Sequence, residues 1–246
     1  MNLTPDQWRQ ALQLSPHESP KAVILEGTWW EREAQKRRTT HLNNVRELPF
    51  PGWWWGEYNG TPLLYATAYG APKAVEPVHV AGVIGAKLAV QIGSCGSLQH
   101  SIQTGDVVVP LTAEIGEGAS VYYGGFDVAV ASRGWANLAA EHIQEIVPQV
   151  HLGRHITTSA LLAQPPETVK RWHEAGYSSV DMETSAVFTA AHAFGMQAVS
   201  ILFVWDELLR DRGFLATFSD EETERQKAAN DAVFETSLRL TESLAS

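Results

Sequence analysis

Around residue 180 the chain reads Val180-Asp181-Met182-Glu183-Thr184-Ser185, followed by a small apolar run at Ala186, Val187, Ala190, Ala191 and Ala193. A short strand turning into a helix fits this pattern, with two carboxylates at the junction. Unpaired backbone N–H groups at the positive end of a helix hold a nearby carboxylate ionised and oriented. In that state it only accepts hydrogen bonds, and its two oxygens suit a pair of adjacent hydroxyls, such as a sugar diol. The plainer alternative is an acidic first helical turn.

Four other segments carry residues capable of chemistry. Gln91-Ile92-Gly93-Ser94-Cys95-Gly96-Ser97-Leu98 follows an apolar strand. Glycines there let backbone N–H groups approach an anion, and Ser94 adds a hydroxyl. A simple turn would read the same way. Asp206, in Phe203-Val204-Trp205-Asp206-Glu207-Leu208, ends a buried strand. That is a favoured place for a reactive side chain, and burial can keep a carboxylic acid neutral enough to donate a proton. Val23-Ile24-Leu25-Glu26-Gly27-Thr28-Trp29-Trp30-Glu31-Arg32 is a strand entering an aromatic loop, and Asn43-Asn44-Val45-Arg46 precedes a hairpin. Nine histidines are scattered, without the spacing of metal ligands, so no metal and no cofactor are expected.

In this order, from about Val23 to Gln226, the segments resemble the nucleoside phosphorylase family, whose members include purine nucleoside phosphorylases, uridine phosphorylases and nucleosidases. The hexameric purine branch is the closest in pattern. Val180 to Glu183 is similar to the family's Val-Glu-Met-Glu. The resemblance implies that Glu183 grips the ribose hydroxyls, Met182 packs on the sugar and Asp181 assists. Gly93-Ser94-Cys95-Gly96 resembles the family's phosphate loop, with uncharged Gln91 where phosphorylases carry arginine. Gly27 matches the glycine of the Pro-Gly-Asp-Pro-x-Arg loop. Glu31 falls at its arginine, so Arg32 would have to replace that charge. Arg46 is similar to an arginine that enters a neighbouring subunit's phosphate site. Asp206 falls where the purine enzymes place the proton donor to N7, which uridine-specific members lack. Arg225, in Thr223-Glu224-Arg225-Gln226, resembles an arginine that approaches that acid. Tyr69 falls on the ribose side, Ser159 and Gln164 fall in the base-facing segment, and Trp205 is a candidate stacking face for the base.

Positioning these groups requires alternating strands and helices. Thr4-Pro5-Asp6 starts a short helix to about Leu14. Ala22 to Leu25 is a strand with a helix after it. Trp53 to Tyr58 and Leu63 to Thr67 flank Asn59-Gly60, a hairpin signal. Helices are expected at Lys73 to Ala86, Trp135 to Val147, Pro166 to Ala175 and Glu221 to Leu244. Strands are expected at Leu88 to Ile92, Asp106 to Val109, His151 to Thr158 and Gln197 to Val204. This alternation predicts one α/β domain over residues 1–246. The resemblance implies a mixed central sheet, partly barrel-like, surrounded by helices.

Composition narrows the partners. With 246 residues, 44% hydrophobic and 19% charged, a packed core is expected. A net charge of −10 argues against nucleic acid. Cys95 is the single cysteine, so no intrachain disulfide forms. The polar N-terminus and the lack of a long apolar run predict a cytoplasmic protein without membrane contact.

The resemblance implies cleavage of the N-ribosidic bond of a purine nucleoside. Phosphorolysis, with phosphate as co-substrate, stands slightly ahead. Hydrolysis by a nucleosidase is the alternative, with Glu31 or Glu33 orienting water. A non-catalytic nucleoside-binding protein is the third possibility. Arg46 and the run Trp53-Trp54-Trp55 predict a homo-oligomer, a dimer or hexamer, with a site shared across its interface.

Overall fold

The computed structural model describes residues 3–213 and 215–244. Its strands are β1 (Ala22–Gly27), β2 (Asn43–Glu47), β3 (Trp53–Tyr58), β4 (Thr61–Ala68), β5 (Leu88–Ser97), β6 (Val107–Gly116), β7 (Val128–Val130), β8 (Val150–Thr158), β9 (Ser179–Asp181) and β10 (Gln197–Glu207). They form one mixed sheet in the order β10-β6-β8-β9-β5-β1-β4-β3-β2, with β7 on β6. A further β10–β5 pairing closes β10, β6, β8, β9 and β5 into a five-stranded ring. The other strands extend from it as an open wing. The first four residues of β1 form an apolar run, because a strand covered on both faces has no solvent side for polar residues. Ala22, Val23, Ile24 and Leu25 of β1 are at most 1% exposed.

Seven helices surround the sheet among the described residues: α1 (Pro5–Leu12), α2 (Glu31–Arg38), α3 (Ala71–Val83), α4 (Arg133–Gln144), α5 (Pro166–Glu174), α6 (Thr184–Ala193) and α7 (Asp220–Glu242). Local chemistry sets the ends of several. Thr4 and Gln7 form a reciprocal capping box on α1, and Ser219 and Glu222 do the same for α7. Of the described helices, none is long and apolar enough to cross a membrane.

Two expectations change. The glycine segment Gly93–Ser97 is not a loop after β5. It continues the strand, because β10 pairs with it in parallel from Leu202 to Glu207 and β9 pairs with its end. Ring closure thus extends the strand beyond Ile92. The tryptophan run serves the protomer's own core rather than a free surface. Trp53 and Trp55 are 4% and 5% exposed, Trp53 stacks on Phe50, and Trp55 Nε1 donates to the Glu18 carbonyl at 2.7 Å.

Candidate active site

A cavity of about 330 Å³ opens where the C-terminal ends of β1, β5 and β10 meet the β9–α6 junction. Gly27, Tyr69, Ser94, Gln164, Met182, Glu183, Trp205 and Asp206 all line it. Glu183 is the cap residue of α6 and is 5% exposed. Its Oε1 accepts from the Gly70 N–H at 2.6 Å. A Cβ at Gly27 would lie 2.9 Å from Glu183 Oε2, so only glycine leaves room for the carboxylate. Burial, and then the Asp181 charge, push Glu183 up to about 8, against the pull of the Gly70 and Met182 N–H groups. Near neutral pH it is therefore largely a neutral acid.

Asp181 does not serve the cavity with its side chain. Its oxygens accept from His155 Nε2 at 2.8 Å, Thr157 Oγ1 at 2.9 Å, Thr184 Oγ1 at 2.6 Å and the Thr184 N–H at 3.0 Å. Those hydrogen bonds, with His155 foremost, hold Asp181 below the usual carboxylate range despite complete burial. The donors leave Asp181 without a free lone pair for a sugar, so its expected role in substrate binding becomes one of anchoring the turn.

Asp206 lies on β10, 8% exposed, and its Oδ1 has no hydrogen-bond partner among the described residues. Burial alone pushes it up to about 7. It can hold a proton in a dry site and release it at neutral pH. Neighbouring residues of a strand face opposite ways, yet Trp205 and Asp206 both reach the cavity. A bulge explains this: the β10–β5 register passes from Val204–Cys95 to Asp206–Gly96 and leaves Trp205 unpaired. The Trp205 ring stacks on Trp30 with centroids 5.9 Å apart, and Trp29 packs on Tyr69 at 5.2 Å. Together with Phe203 they give the cavity an aromatic wall, in which the near-parallel Trp30 and Trp205 rings offer a stacking face.

The expected anion site differs most. Glu31 and Arg32 line a separate cleft beside Gly52 and Phe50, and Glu31 pairs with Lys73 at 2.5 Å. Gln91 is fully buried behind the cavity, with Oε1 facing the Thr184 and Ser200 hydroxyls and Nε2 donating to Asp181 at 3.4 Å. Arg46 is outside its own chain's cavity, paired with Glu18 at 2.6 Å and lying over the Trp55 ring. Arg225 is exposed, packs against Gly105 and is not among the residues that line the cavity. Ser159 is exposed and outside the lining, and Leu161 takes its place.

One face of α2 brings in Glu33, expected from the sequence as a candidate to orient water, together with Ala34 and Arg37, which the sequence reasoning missed. Trp30, Glu33, Ala34 and Arg37 line the cavity, at the i, i+3, i+4, i+7 spacing of a helical stripe. Arg37 is the only cation in the lining among the described residues, and its nearest acid is Asp231 at 3.8 Å. The next residue, Arg38, is 1% exposed and forks onto Glu26 at 3.0 and 3.2 Å, while also donating to Asn230. The Tyr65 hydroxyl completes the Glu26 site at 2.8 Å. This buried pair ties α2 and α7 to β1 behind the cavity.

Comparison with known proteins identifies the family and the fold. The family model of the phosphorylase superfamily matches residues 54–239. A DeoD-type purine nucleoside phosphorylase of Caldanaerobacter subterraneus is 30% identical over 184 residues, 72% of this chain and 76% of the relative. A guanosine phosphorylase of Halorubrum lacusprofundi is 28% identical over 172 residues, covering 69% of this chain and 71% of its own length. The crystal structure of uridine phosphorylase from Vibrio fischeri superposes with a TM-score of 0.77, over 97% of this chain and 94% of that one, at 23% identity. The fold and the sequence match agree over most of the chain, and the protein belongs to the phosphorylase superfamily.

Proposed function

We propose that this single-domain protein cleaves the N-glycosidic bond of a purine nucleoside, with phosphate as the favoured nucleophile. The observation that carries the reading is the pair of buried carboxylates in one cavity, Glu183 beside the Gly70 amide and Asp206, whose Oδ1 has no hydrogen-bond partner among the described residues. Glu183 takes the sugar diol. Two hydroxyl donors restore its ionised form, and its charge then favours the ribosyl cation of the transition state. Met182 packs on the sugar, and the Trp30–Trp205 wall holds the base. Asp206 passes its proton to the departing base at N7, which makes the purine a neutral leaving group. The names of the two relatives support phosphorolysis and a purine.

A specific observation favours a second reading, hydrolysis. Among the described residues, Glu26, Glu33, Asp181, Glu183 and Asp206 line the cavity against Arg37 alone. Of these acids, Glu26 is paired with Arg38, and Asp181 is ionised with its oxygens taken up by its donors. A dianion must still be held by Arg37, Ser94 and backbone N–H groups, with Arg46 of a second copy as a further source in a homo-oligomer. Glu33 could orient water instead. The deciding experiment incubates the protein with inosine, adenosine and 5′-methylthioadenosine, with and without phosphate, and identifies the sugar product. Ribose 1-phosphate formed only with phosphate supports phosphorolysis. Free ribose formed without it supports hydrolysis. Binding without either product makes the protein a nucleoside binder.

A further inference from the structure

Behind the sugar-binding turn lies a polar chain that the proposed reaction does not itself use. His155 is fully buried on β8, 2.8 Å from Asp181 through Nε2 and 2.8 Å from the Ser179 hydroxyl through Nδ1. A carboxylate only accepts, so Nε2 carries a proton toward Asp181, while Nδ1 is paired with the Ser179 hydroxyl. Beyond Ser179 lies Cys95, whose thiol contacts that hydroxyl and whose residue lines the cavity. On the other side, Asp181 receives the backbone N–H and hydroxyl of Thr184, the first residue of α6. The hydroxyl of Thr157, one of Asp181's donors, in turn accepts the Ser185 N–H at 2.9 Å. Asp181 and Thr184 therefore clamp the two ends of the turn that carries Met182 and Glu183.

We propose that His155 is a positioning residue for sugar recognition: through Asp181 it fixes the β9–α6 turn that presents Glu183 to the 2′,3′-diol. Four observations converge on this. The pairing of β8 with β9 sets His155 opposite Ser179 and Thr157 opposite Asp181, so the strands hold the donors in register. The side chains of His155 and Asp181 are 0% and 1% exposed, so neither exchanges its partner for water. Gly70 and Gly27 hold the far end of Glu183 within tight limits, so a displaced turn cannot be absorbed by the side chain. A buried histidine with both nitrogens satisfied has one stable orientation, and that rigidity passes to the carboxylate it holds. The idea rests on the proposed role of Glu183 as the group that receives the diol.

The test compares His155→Leu, which removes both hydrogen bonds at similar volume, with His155→Gln, which can still donate to Asp181. Thr157→Val is a near-isosteric third variant that removes one Asp181 donor and keeps the strand. Steady-state kinetics are measured on a purine ribonucleoside and its 2′-deoxy analogue, with folding checked by circular dichroism. The expected result is a loss of roughly tenfold to a hundredfold in ribonucleoside kcat/KM for His155→Leu, the scale of a misplaced group of about 1 Å. A smaller loss is expected on the 2′-deoxy substrate, with partial recovery in His155→Gln and an intermediate value for Thr157→Val. A structural role alone would lower both substrates equally and leave their ratio unchanged. An unchanged ratio in every folded variant overturns the proposal. If His155→Leu does not fold, Thr157→Val and His155→Gln decide by the same ratio. Failure of wild type to cleave any nucleoside would instead overturn the functional reading beneath it.

Discussion

The two cavity carboxylates make a pH profile calculable before it is measured. The proposed reaction needs Asp206 protonated and Glu183 ionised. Burial places Asp206 at about 7 and Glu183 at about 8, so the acid gives up its proton before the base does. Treated as independent sites, the productive combination peaks near pH ~7.5, where it is only roughly 6% of the free enzyme. The kcat/KM profile should therefore be a bell with limbs near 7 and 8, falling about tenfold per pH unit beyond each limb. Asp206→Asn should remove the alkaline limb together with proton delivery. Its kcat/KM on a purine nucleoside should fall roughly 10²–10⁴-fold, the range of a lost general acid. On a nitrophenyl riboside, whose leaving group needs no proton, the variant should stay within a few-fold of wild type. There its activity should rise to a plateau past pH ~8, following Glu183 alone. The assay is initial-rate spectrophotometry of both substrates from pH 5.5 to 9.5. Equal losses on the two substrates, or a flat wild-type profile, would refute the reasoning.

Other perturbations follow from the same geometry. Glu183→Gln should abolish most turnover yet stabilise the fold at high pH. The folded Glu183 lies above its ordinary 4.5, so the cost of burying it grows from about 4.5 upward and is complete above about 8. Thermal melts should show a gain for the variant at pH 9 and little at pH 5; a gain at pH 5 alone would contradict the sign. Gly27→Ala places a methyl 2.9 Å from Glu183 Oε2 and should raise ribonucleoside KM with little change in melting temperature. Wild-type kinetics in that variant would show that the carboxylate has room. Arg38→Met strands the buried Glu26 carboxylate and should cost about 3–5 kcal/mol in urea unfolding; a loss below ~1 kcal/mol would show that Glu26 takes up a proton cheaply.

The elements were legible because their signals are local. Asn59-Gly60 marks its hairpin, and a capping residue opens α1. Strand extension was not legible, because Gly93–Ser97 is strand only through pairing with β10, more than a hundred residues later. The same distinction divides the site. Glu183 and Asp206 stand at element ends, where motif and position point together. The function of Asp181 depends on His155 and Thr157, which the β8–β9 pairing delivers from another strand. Arg225 resembles a site residue in its segment, but packing sets the rotation of α7 and turns that position to solvent. The α2 stripe was available from spacing alone: Trp30, Glu33, Ala34 and Arg37 share one helical face. Matching Glu31 and Arg32 by residue count from Gly27 ignored the 100° rotation between neighbours on a helix.

The bulge at Trp205 makes the length of β10 a chemical variable. Up to Val204 the strand keeps step with β5, and after it the two run one residue out of phase. The phase slip gives consecutive codons an aromatic face and an acid in the same cavity, which an unbroken strand would set back to back. Deleting one residue here would restore the alternation and rotate the acid out of the cavity. It would also carry Glu207 away from Thr104, whose N–H it accepts at 3.0 Å. Side-chain identity at this point can be varied by point substitution, but strand length cannot. In this chain it is the register slip, not the identity of either side chain, that brings an aromatic face and an acid to the same cavity.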